Sequence, residues 1–176
     1  MENIRITSGE FRGRAIKSPR SSFTHPMGSR EKIALFNMIS EYLVDARVLD
    51  AFAGSGSLGI EALSRGARKV VFVEKNAKVA RVIKENLENI GLGPRSTVLV
   101  EDINKYTTDE SFDLIIADPP YNSFKTEEIV GLTNYLKDGG ILVLSHPEVT
   151  PEIKGLKLTK SHKYAAASLS IYRKIA

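Results

Sequence analysis

Two stretches hold residues whose types and order suggest chemistry. The first is Asp118-Pro119-Pro120-Tyr121, directly after the apolar run Phe112-Asp113-Leu114-Ile115-Ile116-Ala117. Two prolines fix the backbone and remove two N–H donors, which leaves carbonyl acceptors. A carboxylate beside a proline carbonyl makes a pair of acceptors in one plane, and the exocyclic NH2 of a nucleobase presents two donors in one plane. Tyr121 adds a flat face, the usual means of holding an unpaired base. The plainer alternative is a rigid turn with a surface tyrosine. The second stretch is Val48-Leu49-Asp50-Ala51-Phe52-Ala53-Gly54-Ser55-Gly56-Ser57-Leu58-Gly59, an apolar run that meets an acid and then Gly-x-Gly-x-x-Gly. It reads as a strand, a tight turn and a helix start, with glycines where a ligand approaches the backbone. The dehydrogenase form of this turn binds a pyrophosphate. Asp50 would repel that group and suits a cation, and S-adenosylmethionine, with its ammonium and sulfonium charges, fits. The alternative is a turn whose glycines serve chain geometry alone.

Two more acids end apolar runs. Glu74, with Lys75 next to it, closes Val71-Phe72-Val73 and lies 20 residues after Gly54. In nucleotide-type folds an acid at this place accepts both ribose hydroxyls; otherwise it is a helix cap or an exposed strand end. Asp102 follows Val98-Leu99-Val100-Glu101. It can accept from an adenine amino group, with Ile103 against the ring, though a plain loop acid explains it nearly as well.

These residues need a frame. From residue 47 onward, apolar runs alternate with helical patterns. Strands are expected at 47–51, 69–74, 97–101, 113–118, 140–145, 156–162 and 167–174, and helices at 57–66, 76–91 and 125–137. Near-continuous apolar strands separated by helices imply a parallel sheet covered on both faces. The last two strands have no helix between them and should pair as an antiparallel hairpin at one sheet edge. Ahead of this, residues 3–8 and 14–18 alternate apolar with polar or basic, which suggests a hairpin turning between Gly9 and Gly13. Alternation exposes Arg5, Arg12 or Arg14, and Lys17. Pro19 to Gly28 reads as a loop. Ser29 is a candidate N-cap for a helix through Val44 with Ile33, Phe36, Ile39 and Leu43 on one face. The expected fold is therefore α/β: a Rossmann-like, seven-stranded, mostly parallel sheet with a C-terminal antiparallel edge hairpin and an N-terminal basic β-hairpin.

Composition narrows the partners. Residues 1–32 hold seven Lys or Arg against Glu2, Glu10 and Glu31, and the remaining 144 residues sum to zero charge. A basic segment on a neutral body points to a polyanion, with a merely solvated arm as the alternative. No apolar run reaches the ~18 residues of a membrane helix, no apolar segment of a signal peptide follows Met1, and cysteine is absent, which excludes disulfides and thiolate zinc. A cytoplasmic location is expected. His25, His146 and His162 show no ligand spacing and read as surface or loop histidines; no metal is expected.

Asp50, Gly54, Gly56, Gly59, Glu74, Asp102 and Asp118 to Tyr121 together resemble the amino-methyltransferases of the S-adenosylmethionine-dependent class. More narrowly, the chain resembles the RsmD-type family of bacterial 16S ribosomal RNA guanine-N2 methyltransferases. The match includes Arg5 to Gly9, Phe11-Arg12-Gly13-Arg14, Ala34-Leu35-Phe36-Asn37, and Lys163-Tyr164 with Leu169 to Arg173. The resemblance implies methyl transfer to N2 of one guanine in 16S rRNA or the small-subunit particle, with S-adenosylhomocysteine as product. It implies a methyltransferase domain at 29–176 and an RNA-contacting appendage at 1–28. Asp118, Pro119, Pro120 and Tyr121 are then catalytic. Asp50, Phe52, Gly54, Gly56, Gly59, Glu74, Lys75, Asp102 and Ile103 hold the cofactor, and Arg5, Arg12, Arg14, Lys17 and Arg30 grip RNA. A monomer is expected. The chain departs from the family pattern at His25-Pro26-Met27, at Tyr164-Ala165, and at Ser145-His146-Pro147, where the family commonly has an acid. Rival readings are an N6-adenine or N4-cytosine DNA methyltransferase, a dinucleotide-binding oxidoreductase and a non-catalytic RNA-binding module. The first usually needs a separate recognition region, for which few residues remain. Asp50 and the Asp-Pro-Pro-Tyr box argue against the second, and the intact motifs against the third.

Overall fold

The computed structural model describes residues 2–19, 27–147, 149–164 and 167–176. His25, Pro26 and Ala165 lie outside them. A two-stranded hairpin, β1 (Glu2–Arg5) and β2 (Ala15–Ser18), precedes α1 (Ser29–Met38). Then come β3 (Arg47–Asp50), α2 (Ser57–Ser64), β4 (Lys69–Glu74), α3 (Ala77–Asn89), β5 (Ser96–Val100), β6 (Phe112–Ala117), α4 (Thr126–Leu132), β7 (Leu136–His146), β8 (Leu156–Lys163) and β9 (Ser168–Lys174). The seven-stranded sheet has the order β5-β4-β3-β6-β7-β9-β8. Pairs from β5 through β7 are parallel, and β9 is antiparallel to both its neighbours. This is the expected Rossmann-like sheet with its antiparallel C-terminal hairpin.

Strand side chains alternate between two apolar layers. Val48, Phe72, Leu114, Ile116 and Val143 pack beneath α1, α2, α3 and the N-terminal hairpin. Leu49, Val71, Ile115, Leu142 and Tyr172 pack against α4, Tyr106 and Ile153. Helices thus cover both faces. The two C-terminal strands divide by composition. β9 buries Leu169, Ile171 and Tyr172 and sits inside the sheet, while Lys157 to Lys163 of β8 are all exposed and form its edge.

Three local expectations are corrected. First, α1 is capped by the backbone of Gly28, with no side-chain bond, and Ser29 is its first residue. Its buried face runs through Lys32, Leu35, Phe36 and Ile39, whereas Ile33 is exposed. Second, α1 ends at Met38 and a 3-10 turn over Ser40–Tyr42 replaces the continuation to Val44. Third, α4 stops at Leu132 rather than residue 137, and β7 begins at Leu136. The Lys174 ammonium donates to the carbonyls of Thr133 (3.0 Å) and Leu136 (2.6 Å), so the chain turns there instead of extending the helix.

Lys32 is buried because Glu61, fully buried on α2, faces it at 3.5 Å. Glu61 also accepts from the Thr7 amide (2.9 Å), the Thr7 hydroxyl, the Ser8 amide (3.1 Å) and Arg65 Nε (2.9 Å). Lys32 donates further to the Arg5 carbonyl and to Ser57 Oγ, each 3.1 Å away. Burial alone would raise the Glu61 pKa, but Thr7, Arg65 and Lys32 outweigh it and hold the carboxyl below its ordinary value. Its stabilising contribution is therefore complete above the unfolded carboxyl pKa of ~4.3 and is lost as pH falls toward the lower folded value. Glu61→Ala leaves Lys32 buried without its partner and should cost about 3–5 kcal/mol in urea unfolding at neutral pH. The difference between wild type and variant should shrink as the pH is taken down from 5 to 3.

Candidate active site

The sequence-selected acids lie along the carboxyl edge of the sheet. In sheet order they are Asp102 after β5, Glu74 ending β4, Asp50 ending β3 and Asp118 after β6. Asp50 pairs in register with Phe72 of β4 and Ile116 of β6, and the Ala51 amide donates to the Ile116 carbonyl at 2.9 Å. The glycine turn and the Asp-Pro-Pro-Tyr box therefore leave adjacent strands on the same side.

The glycines have separate structural reasons. Gly56 caps α2 in the left-handed region at φ 76°, where only glycine is free of strain. Gly59 sits where helix meets sheet: a Cβ there would come 2.2 Å from the Phe72 ring. Close helix–sheet approach, rather than ligand access, is what requires glycine at 59. The Gly59 amide donates to Asp50 Oδ2 at 2.9 Å, which fixes the carboxylate under the turn. Phe52, half-buried, packs against the layer below.

Glu74 accepts from the Gly54 amide (2.9 Å) with Oε2 and from the Asn76 amide (2.8 Å) with Oε1. It is not the cap of α3. Asn76 is, through bonds to the Lys78 and Val79 amides. Each Glu74 oxygen keeps a further lone pair for another donor. Asp102 Oδ1 accepts from the Asn104 amide at 3.0 Å, and Ile103 packs on the core. Lys75 is exposed.

Burial raises the Asp50 pKa to about 7, against the Gly59 bond, and the nearby charges of Asp118 and Glu74 push it further the same way. Burial raises Asp118 to about 6, partly opposed by the Ser145 hydroxyl. Converging carboxylates held above their ordinary range form a site that favours a cation. At the box itself, the Pro120 carbonyl is taken by the Ser123 amide at 3.1 Å. Among the described residues no donor bonds the Pro119 carbonyl, so it and Asp118 are the available acceptors. Tyr121, 38% exposed, shares a hydrogen bond between its hydroxyl and Ser145 Oγ.

Ser145, near the carboxyl end of β7 and buried, thus bonds the tyrosine of the box and lowers the Asp118 pKa, and it was not selected from sequence. Its place at a strand end was the available signal. His146 is a correction: it is fully buried, not a surface or loop residue. Nδ1 contacts the Pro147 carbonyl at 2.6 Å and so carries the proton, and Nε2 then accepts from Ser170 Oγ at 2.7 Å. Burial lowers its pKa, which suits this neutral form.

Arg12, Arg14, Lys17 and Arg30 are exposed, as is Arg5. Arg5 donates to the Gly13 carbonyl at 2.8 Å, and Arg14 lies over the Phe11 ring at 5.5 Å. The hairpin tip is bound to the far end of α2, through the Glu10 amide and the Ser64 carbonyl at 2.8 Å. Ser64 is seven helical steps from Ser57, so the tip is bound about 10 Å from the glycine turn. The structure brings the cofactor and catalytic candidates together along the carboxyl edge of the sheet and holds the hairpin tip, with Arg12 and Arg14, apart from them, while Lys32 links the Arg5 carbonyl to Ser57 beside the glycine turn. No group of three or more His, Asp or Glu among the described residues is placed to hold a metal.

Gly59→Ala should destabilise the fold by about 1–3 kcal/mol through overpacking against Phe72. The measurement is denaturant unfolding beside Gly93→Ala, a position with open space around it; equal effects at the two sites would remove the packing argument.

The chain is similar to known proteins over nearly its full length. It is 36% identical over 164 residues to "Ribosomal RNA small subunit methyltransferase D" of Haemophilus influenzae, covering 85% of this chain and 83% of that one. It is 32% identical to YlbH of Bacillus subtilis, over 97% of this chain and 99% of its relative. The solved structure of Escherichia coli yhhF superposes with a TM-score of 0.90 at 27% identity, over 99% of each chain. No helix among the described residues is long and apolar enough to cross a membrane. A family model described as "Conserved hypothetical protein 95" matches residues 4–173, and the chain belongs to that family, the RsmD-type family that the motifs resemble.

Proposed function

We propose that the chain is an S-adenosylmethionine-dependent methyltransferase that modifies N2 of a guanine in 16S ribosomal RNA, free or in the small-subunit particle. The observation that carries this reading is the pairing of strand-end acids on the carboxyl edge of the sheet. Two carboxylates with raised pKa values, the buried Asp50 and the half-buried Asp118, stand at the ends of adjacent strands, one beside a glycine turn and one beside an unused proline carbonyl. The relatives' names support the rRNA substrate.

When bound, S-adenosylmethionine supplies an electrophilic methyl group on a positively charged sulfur. Asp50, the Gly54–Gly59 turn, Phe52, Glu74, Lys75, Asp102 and Ile103 are the residues to hold it. The acids suit its charges and hydroxyl groups, and Gly54 and Gly56, both at positive φ, shape the tight turn. Asp118 and the Pro119 carbonyl accept the two N–H groups of the guanine amine. That lone pair is otherwise delocalised into the ring, and holding both hydrogens favours a pyramidal, more nucleophilic nitrogen. Asp118 also offsets positive charge developing there. Pro120 keeps the box rigid, and Tyr121, its hydroxyl tied to Ser145, offers its ring to the base. The guanine must leave its stack to arrive. Residues 1–28, with Arg5, Arg12, Arg14 and Lys17, and Arg30 on α1, contact the RNA backbone, while residues 29–176 form the catalytic domain.

Methyl transfer from labelled S-adenosylmethionine to unmethylated 16S rRNA, with mass analysis of the nucleosides, should yield N2-methylguanosine. Duplex DNA should stay unlabelled; N6-methyladenine or N4-methylcytosine in DNA would overturn the reading. Asp118→Asn should lower turnover by about 10²–10⁴-fold with S-adenosylhomocysteine binding retained. Because the ionised Asp118 is the acceptor, wild-type kcat/KM for RNA at saturating S-adenosylmethionine should rise with pH through about 6 and then level. Asp50 gains its charge near pH 7. Titration calorimetry should therefore show S-adenosylmethionine binding more tightly at pH 8 than at pH 6, with a smaller change for the sulfonium-free S-adenosylhomocysteine.

A further inference from the structure

Charge is segregated along the carboxyl edge of the sheet. The β5, β4 and β3 ends carry Glu101, Asp102, Glu74 and Asp50, with Lys75 the cation among them. Past β6 and β7, the edge finishes on β8. Every residue from Lys157 to Lys163 there is exposed, and the strand carries Lys157, Lys160, His162 and Lys163. Ion pairs elsewhere engage Lys32, Arg47, Arg65, Arg68, Arg81, Arg95 and Lys137; among the described residues none engages a lysine of β8.

The register places these cations. Lys163 pairs with Ser168, which is also opposite His146 at the end of β7, so Lys163 stands at the crevice edge. A bulge between Leu158 and Lys160 resets the alternation. Beyond it, Lys160 and His162 lie opposite Ile171 and Leu169, which belong to the layer under α1. They emerge on the face that carries Arg30 and the N-terminal hairpin. The His162 and Tyr164 rings lie 4.7 Å apart, and Tyr164 packs against that same layer. From β6 to β8 is three strand spacings, about 14 Å.

An RNA whose target base enters at Asp118 and whose chain follows this edge runs over one half of it. Toward β5 its phosphates meet carboxylates; toward β8 they meet unpaired lysines. We propose that the carboxyl end of β8, through Lys160, His162, Lys163 and the adjoining Tyr164, is a second RNA contact. It binds phosphates that flank the target base and offers its two rings to a neighbouring base. The proposal rests on the rRNA-methyltransferase reading. Lysines on an edge strand also discourage strand-to-strand association. That role depends on charge along the whole edge, whereas an RNA contact depends on position.

Position is therefore what the experiment reads. Lys157 is six residues from Lys163, about 20 Å along the strand. K160Q/K163Q is compared with R12A/R14A and with K154Q/K157Q, where Lys154 is exposed in the turn before β8, each in the full chain. Anisotropy with a labelled 16S rRNA fragment is measured across a salt series, together with steady-state kinetics and S-adenosylhomocysteine calorimetry. K160Q/K163Q should bind RNA roughly tenfold more weakly, with a salt slope shallower by about 1.5. Its KM for RNA should rise, while kcat at saturating RNA and S-adenosylhomocysteine affinity stay unchanged. K160R/K163R should restore binding, which separates lost phosphate contact from misfolding. Should the double variant self-associate, Lys163→Gln alone gives the reading. Unchanged RNA affinity in K160Q/K163Q overturns the proposal, as does an equal loss in K154Q/K157Q. Loss in R12A/R14A alone overturns this surface and leaves the rRNA reading intact; failure of wild type to bind rRNA overturns both.

Discussion

Glu61 is a carboxylate enclosed by protein on every side, and the placement of everything around the crevice depends on how its charge is met. Burying an ion costs several kcal/mol unless partners replace its water. Here the partners come from three separate elements. Thr7 and Ser8 belong to the N-terminal hairpin, Lys32 to α1, and Arg65 to the end of α2 itself. Lys32 then reaches Ser57, the first residue of α2 after the glycine turn. A residue at the centre of one helix thereby sets the position of the hairpin, the first helix and the turn that begins the crevice. The remaining hairpin contacts follow the same pattern: Asn86 of α3 exchanges hydrogen bonds with the backbone of Lys17 in both directions.

The crevice shows the opposite electrostatic arrangement. Around Glu61 the buried charges are paired, whereas Asp50 is raised first by burial and then by the charges of Asp118 and Glu74, with only amide and hydroxyl donors to answer the two aspartates. A fold that satisfies a buried acid at the centre of α2 and leaves acids unmatched beside its N-terminus separates structure from chemistry over one short helix. The unmatched end is where a cationic ligand gains most from binding.

Much of this was legible in the sequence because strand–helix alternation and strand-end acids are local signals. Asp50, Glu74 and Asp118 each close an apolar run, and a parallel sheet brings such ends to one edge whatever the strand order. Lys32 was not legible as a core residue. Helical periodicity treats a lysine as solvated and so favoured Ile33, and only a partner 29 positions away, Glu61, reverses that. The end of α4 depends on Lys174, still farther along the chain. Ser145 and His146 fell in an apolar run whose end carries no acid, so their bonds to Tyr121 and Ser170 left no mark in the local pattern. The reason for Gly59 was legible only as a spacing; its meaning came from the Phe72 ring across the helix–sheet gap.

The sheet order carries a consequence for how the molecule is made. β9, the latest strand in sequence, is seated between β7 and β8, with Leu169, Ile171 and Tyr172 filling both layers. During synthesis on the ribosome, β7 must wait with a bare apolar flank until residues near 174 have left the exit tunnel. For that interval the nascent protein offers an unfinished sheet margin to any chaperone or neighbouring chain nearby.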